Sequence, residues 1–430
     1  MADREDASRS AAHRAVDAVW RMESPRLIAG LVRMTRDVAL AEDLAQDALL
    51  AALEKWPETG VPDNAGAWLM AIAKRRGIDH FRRNQRVERK HAELGVELED
   101  IAGDRAPDLD EAIDDPVGDD LLRLIFIACH PVLPTDARVA LTLRLLGGLT
   151  TDEIARAFLV PVPTLAQRLV RAKRTLAEAR VPFEVPRGAD LAARLASVLE
   201  VVYLIFNEGY SATAGDDWVR PSLCEEALRL GRIIAQLAPG EAEVHGLVAL
   251  MEIQASRLRA RVGPAGEPVL LLDQDRGRWD HLLVRRGLAA LDQAEALGGA
   301  LGPYSLQAAI AACHARARRA EDTDWGRIAA LYDALSQVAP SSIVELNRAV
   351  AVAMAFGPEA GLELVDQLGA EPSLKNYHLL PSVRGDLLEK LDRFDEARSE
   401  FARAASLTRN ARERQLLLAR ARACGAGWEG

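Results

Sequence analysis

Residues 93–120 hold twelve aspartates and glutamates against one basic residue, Arg105, and are interrupted by Gly103, Pro107 and Pro116. A segment with so much like charge and so few apolar side chains cannot bury enough surface to offset the entropy lost on ordering. The chain is therefore expected to fold as separate bodies on either side, with residues 93–117 as an acidic linker. At 430 residues it has room for two to four domains. Ala, Leu and Arg dominate and aromatics make up only 5%. That balance favours helix over sheet, and the expected fold class is all-α.

The stretch just before the linker has the opposite charge. Between Lys74 and Lys90 lie eight Lys/Arg and two acids, in a chain of formal net charge −10. Asn64 opens this stretch, and Trp68, Leu69 and Ile72 share a helical side. Arg75 and Arg82 are seven apart, as are Arg76 and Arg83, so each pair lies on one side of a helix, with Ile78 and Phe81 turned toward a core. A helix anchored by apolar residues at one end and rich in arginine at the other suits a nucleic-acid backbone. A solvated basic face has the same pattern. A pI near 5.5 excludes a chain that coats nucleic acid everywhere, so any such contact must be local.

Upstream, residues 11–36 form one or two helices with Leu27, Ile28, Leu31 and Val32 available for burial. In residues 40–56, Leu49, Ala52, Leu53 and Trp56 make an apolar stripe, and Glu42, Asp43, Gln46 and Asp47 form an acidic patch. The patch is either the solvated side of an amphipathic helix or a docking surface. Residues 121–180 are expected to form four helices. Thr150 and Glu153 make a capping box with Ile154, Ala155 and Phe158 inward, and Leu159–Pro163 is a turn. The next helix carries Leu165, Leu169, Ala172 and Leu176 as one apolar stripe, opposite Thr164, Gln167, Arg168, Arg171 and Arg174, with Lys173 flanking. A short helix, a tight turn and a helix with Gln and Arg on its open face read as a helix-turn-helix. Arg and Gln are side chains that pair bidentately with guanine and adenine edges.

After Pro182 the chain becomes a helical array. Gly385, Ala397 and Ala404 let helices approach, and Leu388, Phe394 and Phe401 fill between them, as in tetratricopeptide repeats. Residues 347–360 are a weaker second copy. Two polar blocks, Asn207–Ser211 and Leu271–Arg276, break the pattern, as groove-lining loops or as buried polar corners. The four cysteines, Cys129, Cys224, Cys313 and Cys424, are far apart and read as free thiols in a reducing compartment. The polar N-terminus and the lack of a long apolar run point to the cytoplasm. Cys129–His130 and Cys313–His314 are adjacent pairs that point apart on a helix. No metal set, cofactor motif or nucleophile arrangement is expected, and the chain does not read as an enzyme.

Residues 10–182 resemble a bacterial sigma factor of the extracytoplasmic-function (ECF) type. The resemblance lies in Ala41–Asp47, in Ala67-Trp68-Leu69 with Ile72-Ala73, Ile78-Asp79 and Arg82-Arg83, in Glu153-Ile154-Ala155, and in Gln167–Ala172. The long tail resembles the ECF subgroup with a tetratricopeptide-like extension. The resemblance implies sigma region 2 at 10–92, the linker at 93–117, region 4 at 118–182 and the extension at 183–430. It further implies that Asp43, Leu44, Gln46 and Asp47 contact the clamp helices of the RNA polymerase core β′ subunit. The −10 promoter element would be melted and read by Trp56, Asn64, Trp68, Lys74, Arg75, Arg76, Arg82 and Arg83. The −35 element would be read by Thr164, Gln167, Arg168, Arg171, Lys173 and Arg174. The extension would regulate, through a protein partner or an intramolecular contact between the early tail and region 4. Two positions depart from the family pattern. Lys74 stands where Asn is frequent. Leu159 stands where the turn often has Gly, so that turn must avoid positive φ or carry strain. A conventional helix-turn-helix regulator with a sensing helical domain is the competing reading, and it leaves Asp43–Asp47 and the basic helix unexplained.

Overall fold

The computed structural model describes the backbone of residues 2–93 and 117–426. The acidic linker, apart from its end positions, lies outside the described residues. The chain divides into two units, Met1–Val201 and Val202–Gly430.

The regular structure of the first unit is all helix among its described residues. It contains α1 (Ala2–Thr35), α2 (Val38–Thr59), α3 (Ala65–Glu93), α4 (Val117–Ala128), α5 (Thr135–Leu145), α6 (Thr151–Ala157), α7 (Val162–Glu178) and the first half of α8 (Ala189–Tyr210). Asp37 starts α2 by accepting from the backbone N–H of Ala39 at 2.7 Å and of Leu40 at 3.1 Å. The buried face of α2 differs from the expected stripe. Leu49 and Leu53 are only half-buried, whereas Ala41, Leu44, Ala45, Ala48, Ala51 and Ala52 are buried. The reason is that α2 packs on both α1 and α3, so a broad face of small residues is covered. Gly77 allows α3 to come close, since a Cβ there would stand 3.3 Å from Leu44 Cδ1.

Asn64 caps α3, its Oδ1 accepting from the Ala67 N–H at 3.0 Å. Thr150 and Glu153 form the expected capping box on α6. The end of α6 closes as a Schellman turn: the Val160 N–H bonds the Ala155 carbonyl at 3.0 Å and the Leu159 N–H bonds the Arg156 carbonyl at 3.4 Å. That places Leu159 at φ 51°. The turn therefore keeps the left-handed conformation that glycine favours, and Leu159 carries the strain. On α7 the expected stripe, Leu165, Leu169, Ala172 and Leu176, is the buried set.

Early tail residues pack against α4 and α5. Arg194 Nη2 donates to the Phe126 carbonyl at 2.8 Å and Ser197 Oγ to the Cys129 carbonyl at 2.7 Å. Arg138, from α5, pairs with Glu200 at 3.1 Å.

The second unit comprises the rest of α8 and α9 (Pro221–Leu237), α10 (Ala242–Ala255), α11 (His281–Ala296), α12 (Pro303–Arg316), α13 (Trp325–Val338), α14 (Ser342–Phe356), α15 (Pro358–Leu368), α16 (Leu379–Lys390), α17 (Phe394–Leu407) and α18 (Ala411–Ala426). Successive helices pair, as in α14 with α15 and α16 with α17. At the α16–α17 crossing a Cβ on Gly385 would meet the Phe401 ring at 2.9 Å, and Leu388, Ala397, Phe401 and Ala404 are fully buried. In the weaker copy Gly361 plays the same part against Ala353. A two-residue parallel pair, Ala214–Gly215 with Arg409–Asn410, joins distant parts of this unit. Asn410 fixes it by donating from Nδ2 to the carbonyls of Ala212 at 3.0 Å and Asp217 at 2.8 Å. Of the two polar blocks, Asn207–Tyr210 is the end of α8, not a loop, and Leu271–Arg276 holds short 3-10 turns.

Candidate nucleic-acid interface

The open side of α7 is the clearest surface. Pro161 and the Schellman turn of α6 set its start, and its buried stripe turns Thr164, Gln167, Arg171 and Arg174 outward, all exposed. Arg168 is half-buried and pairs with Asp136 of α5 at 3.0 Å; Arg174 pairs with Glu178 at 2.6 Å on the open surface. Exposed pairs of this kind contribute little and are readily exchanged for a phosphate or a base edge.

Lys173 is placed differently from expectation. Its Nζ lies 2.9 Å from Glu42 Oε2, while Arg144 Nε donates to Glu42 Oε1 at 2.7 Å. Glu42 is 4% exposed and also accepts from Gln46 Nε2 at 2.8 Å. Burial pushes its carboxyl up, but Lys173 and Arg144 outweigh burial and hold it below the ordinary carboxylate range. Glu42 is thus no docking acid. It ties α2 to α5 and α7, and a second link, Arg21 to Glu153 at 2.9 Å, joins α1 to α6.

The rest of the acidic patch separates by burial. Leu44 lies in the core against Gly77 and does not reach the surface. Asp43 is exposed, and Asp47 pairs with Arg76 of α3 at 2.9 Å with both side chains open to solvent. On α3, Arg75 and Arg82 are exposed, Lys74, Arg76 and Trp68 half-buried. Trp56 is in the core, its ring edge-on to Trp68 at 5.3 Å, because that tryptophan pair seals the junction of α2 and α3. Arg83 lies on α3, and its side chain is outside the described residues. Asn64 is exposed beside its capping role.

Sequence reasoning missed Arg144 and Asp136 as partners. One clue was available: Val38, Glu42 and Ala45 fall at i, i+4, i+7, which puts Glu42 in register with the buried face. Cys129 and Cys313 are buried, and burial pushes the Cys129 thiol up to about 11. Among the described residues no His, Cys, Asp or Glu cluster is arranged to hold a metal ion.

Residues 19–87 match the Sigma-70 region 2 family model, residues 123–176 the Sigma-70, region 4 model, and residues 194–295 a family of unknown function, DUF6596. The ECF RNA polymerase sigma factor SigK of Mycobacterium bovis (strain BCG / Pasteur 1173P2) is 31% identical over 152 residues, 34% of this chain and 76% of that protein. The probable ECF RNA polymerase sigma factor SigI of Mycobacterium tuberculosis (strain ATCC 25618 / H37Rv) is 29% identical over 178 residues, 40% of this chain and 58% of that protein. An uncharacterized protein of Rhizobium meliloti (strain 1021) is 45% identical over 390 residues, 90% of this chain and 91% of that protein. No solved structure matches the chain.

Proposed function

The chain belongs to the ECF RNA polymerase sigma factors, and we propose that its first unit directs initiation through three surfaces. The open side of α2, reduced to Asp43, Gln46 and Asp47, docks on the clamp helices of the core enzyme. Trp68, Lys74, Arg75, Arg76, Arg82 and Arg83 of α3, with Asn64 at its cap, engage the −10 element. Thr164, Gln167, Arg168, Arg171 and Arg174 of α7 engage the −35 element. The observation that carries this reading is the two-sided character of α7: a continuous buried apolar stripe faces away from an exposed Gln/Arg side. That suits a recognition helix in a major groove.

The ion trio adds a condition. Elements about 25 positions apart on straight duplex are separated by roughly 85 Å at about 3.4 Å per position. A body of about 200 residues has a radius of gyration of about 16 Å, so it cannot cover both elements while α2 and α7 remain tied. Glu42 must release Lys173 and Arg144 on promoter engagement, and Lys173 becomes free for the −35 backbone only then. The reading assigns no catalytic step and no cofactor. No helix among the described residues is long and apolar enough to cross a membrane, and the polymerase partner places the working protein in the cytoplasm.

Reversing Asp43 and Asp47 to Lys tests the docking surface. Like charges set against a complementary partner cost several kcal/mol when close, so affinity for core polymerase should fall roughly tenfold or more with native circular dichroism. Unchanged affinity in a folded variant removes α2 from the docking surface.

A further inference from the structure

The second unit contains a cavity of about 310 Å³ lined by parts of α8, α10, α12, α13 and α14 and by Leu271. Both polar blocks that interrupt the helical pattern meet there, through Asn207 and Tyr210 on one side and Leu271 on the other. Its volume is at the lower end of small-molecule sites.

Arg257 stands in the wall of this cavity and is only 7% exposed. Its Nη2 donates to Tyr210 Oη at 2.7 Å and to the Gln254 side-chain oxygen, both neutral groups. Its Nε has no hydrogen-bond partner, and among the described residues no carboxylate pairs with it. The nearest charges are positive. Arg261 stacks over the Tyr210 ring at 3.8 Å, and Arg276 donates to the Ala317 carbonyl at 2.8 Å. Other buried ionic groups of this unit are paired: Glu252 holds Arg232 at 2.8 Å, and Glu208 holds Arg220. His314, also in the cavity wall and 8% exposed, has an Nδ1 without a partner. Burial, then Arg257 and Arg276, holds it down to about 4, so it is neutral at pH 7.

A buried guanidinium with no anion is costly unless something supplies the charge. We propose that the cavity is a binding site for a small organic carboxylate, its oxygens seated on Arg257 beside His314 and its apolar part against Tyr332. With Nη2 committed to Tyr210 and Gln254, Nη1 is left to donate a charge-assisted hydrogen bond to a carboxylate oxygen, and the aromatic wall takes the remainder of the molecule. Of these arginines only Arg257 lines the cavity itself, and beside a neutral imidazole it calls for an anion. The inference is independent of how the first unit acts.

Calorimetric titration of the full chain at pH 7 tests it, with acetate, isovalerate, benzoate and phenylacetate as probes and inorganic phosphate as the competing class. At least one of the four acids should bind saturably, one per chain. Arg257→Met should weaken that binding at least tenfold. Asn347→Trp should do the same by narrowing the cavity from an exposed position, which keeps the test decisive if the Arg257 variant does not fold. Three outcomes overturn the proposal: no saturable binding of any acid, binding untouched in the folded variants, or phosphate bound more tightly than every acid.

Discussion

Leu159 shows how a single residue can record a fold's demand. The Schellman turn between α6 and α7 needs a left-handed residue, and the chain supplies a leucine at φ 51°, 52% exposed. A β-carbon in that region costs about 1–2 kcal/mol, while the exposed side chain returns little burial. Leu159→Gly should therefore raise stability by about 0.5–1 kcal/mol after the entropy glycine adds to the unfolded chain, read as a higher denaturant midpoint at unchanged slope. A lower midpoint would show that the packing of the leucine side chain outweighs its backbone strain. His314 makes the second residue-scale prediction. Its value falls from an ordinary 6.5 to about 4 through burial, then Arg257 and Arg276. The unfolded chain then binds the proton that the folded chain refuses, so stability is full above about 6.5 and is lost as pH falls toward about 4. The loss is up to about 3 kcal/mol. His130 is held down to about 4 as well and adds the same sign, so the comparison is with His314→Phe. The wild type should lose more stability than the variant between pH 7 and pH 5, and equal losses would contradict the assignment.

Among the elements, α7 was legible because its leucines contrast sharply with Gln and Arg, and the buried stripe is the one its spacing predicts. The face of α2 was not. Alanines at 41, 45 and 48 give little contrast with their surroundings, so the expected stripe kept Ala52 and Trp56 of the buried face but took the half-buried Leu49 and Leu53 in place of those alanines. Glu42 then read as solvated, although its partners Arg144 and Lys173 are more than a hundred positions away. Capping residues were readable because they act locally; the Thr150–Glu153 box is one case. The tail cavity was visible only as two unexplained polar blocks, since Arg257 and His314 meet through tertiary packing alone. For α7 itself, Arg168→Ala and Arg171→Ala should each weaken promoter binding. Where the arginine reads a base bidentately, its removal should cost about 1–3 kcal/mol of discrimination at one position. Where it binds phosphate alone, its removal should weaken all sequences evenly and lower the salt slope by about one. Wild-type promoter selection by both variants would show that α7 does not read DNA.

At the scale of the whole molecule, charge arranges the parts. In a chain of net charge −10, α3 carries a dense basic run and α7 an exposed Gln/Arg side, the two surfaces proposed for promoter DNA, and twelve acids lie between them. Inside the first unit, the pairing of Glu42 with Lys173 and Arg144 holds α2 to α7 and α5 through one buried carboxylate. The second unit repeats close helix crossings through Gly361 and Gly385. The most direct test is reconstitution with purified bacterial core polymerase on a library of genomic fragments. A sigma factor of this kind should form a stable complex with core and give discrete transcript starts that appear only when it is added. Failure to bind core, together with an unchanged set of starts, would contradict it.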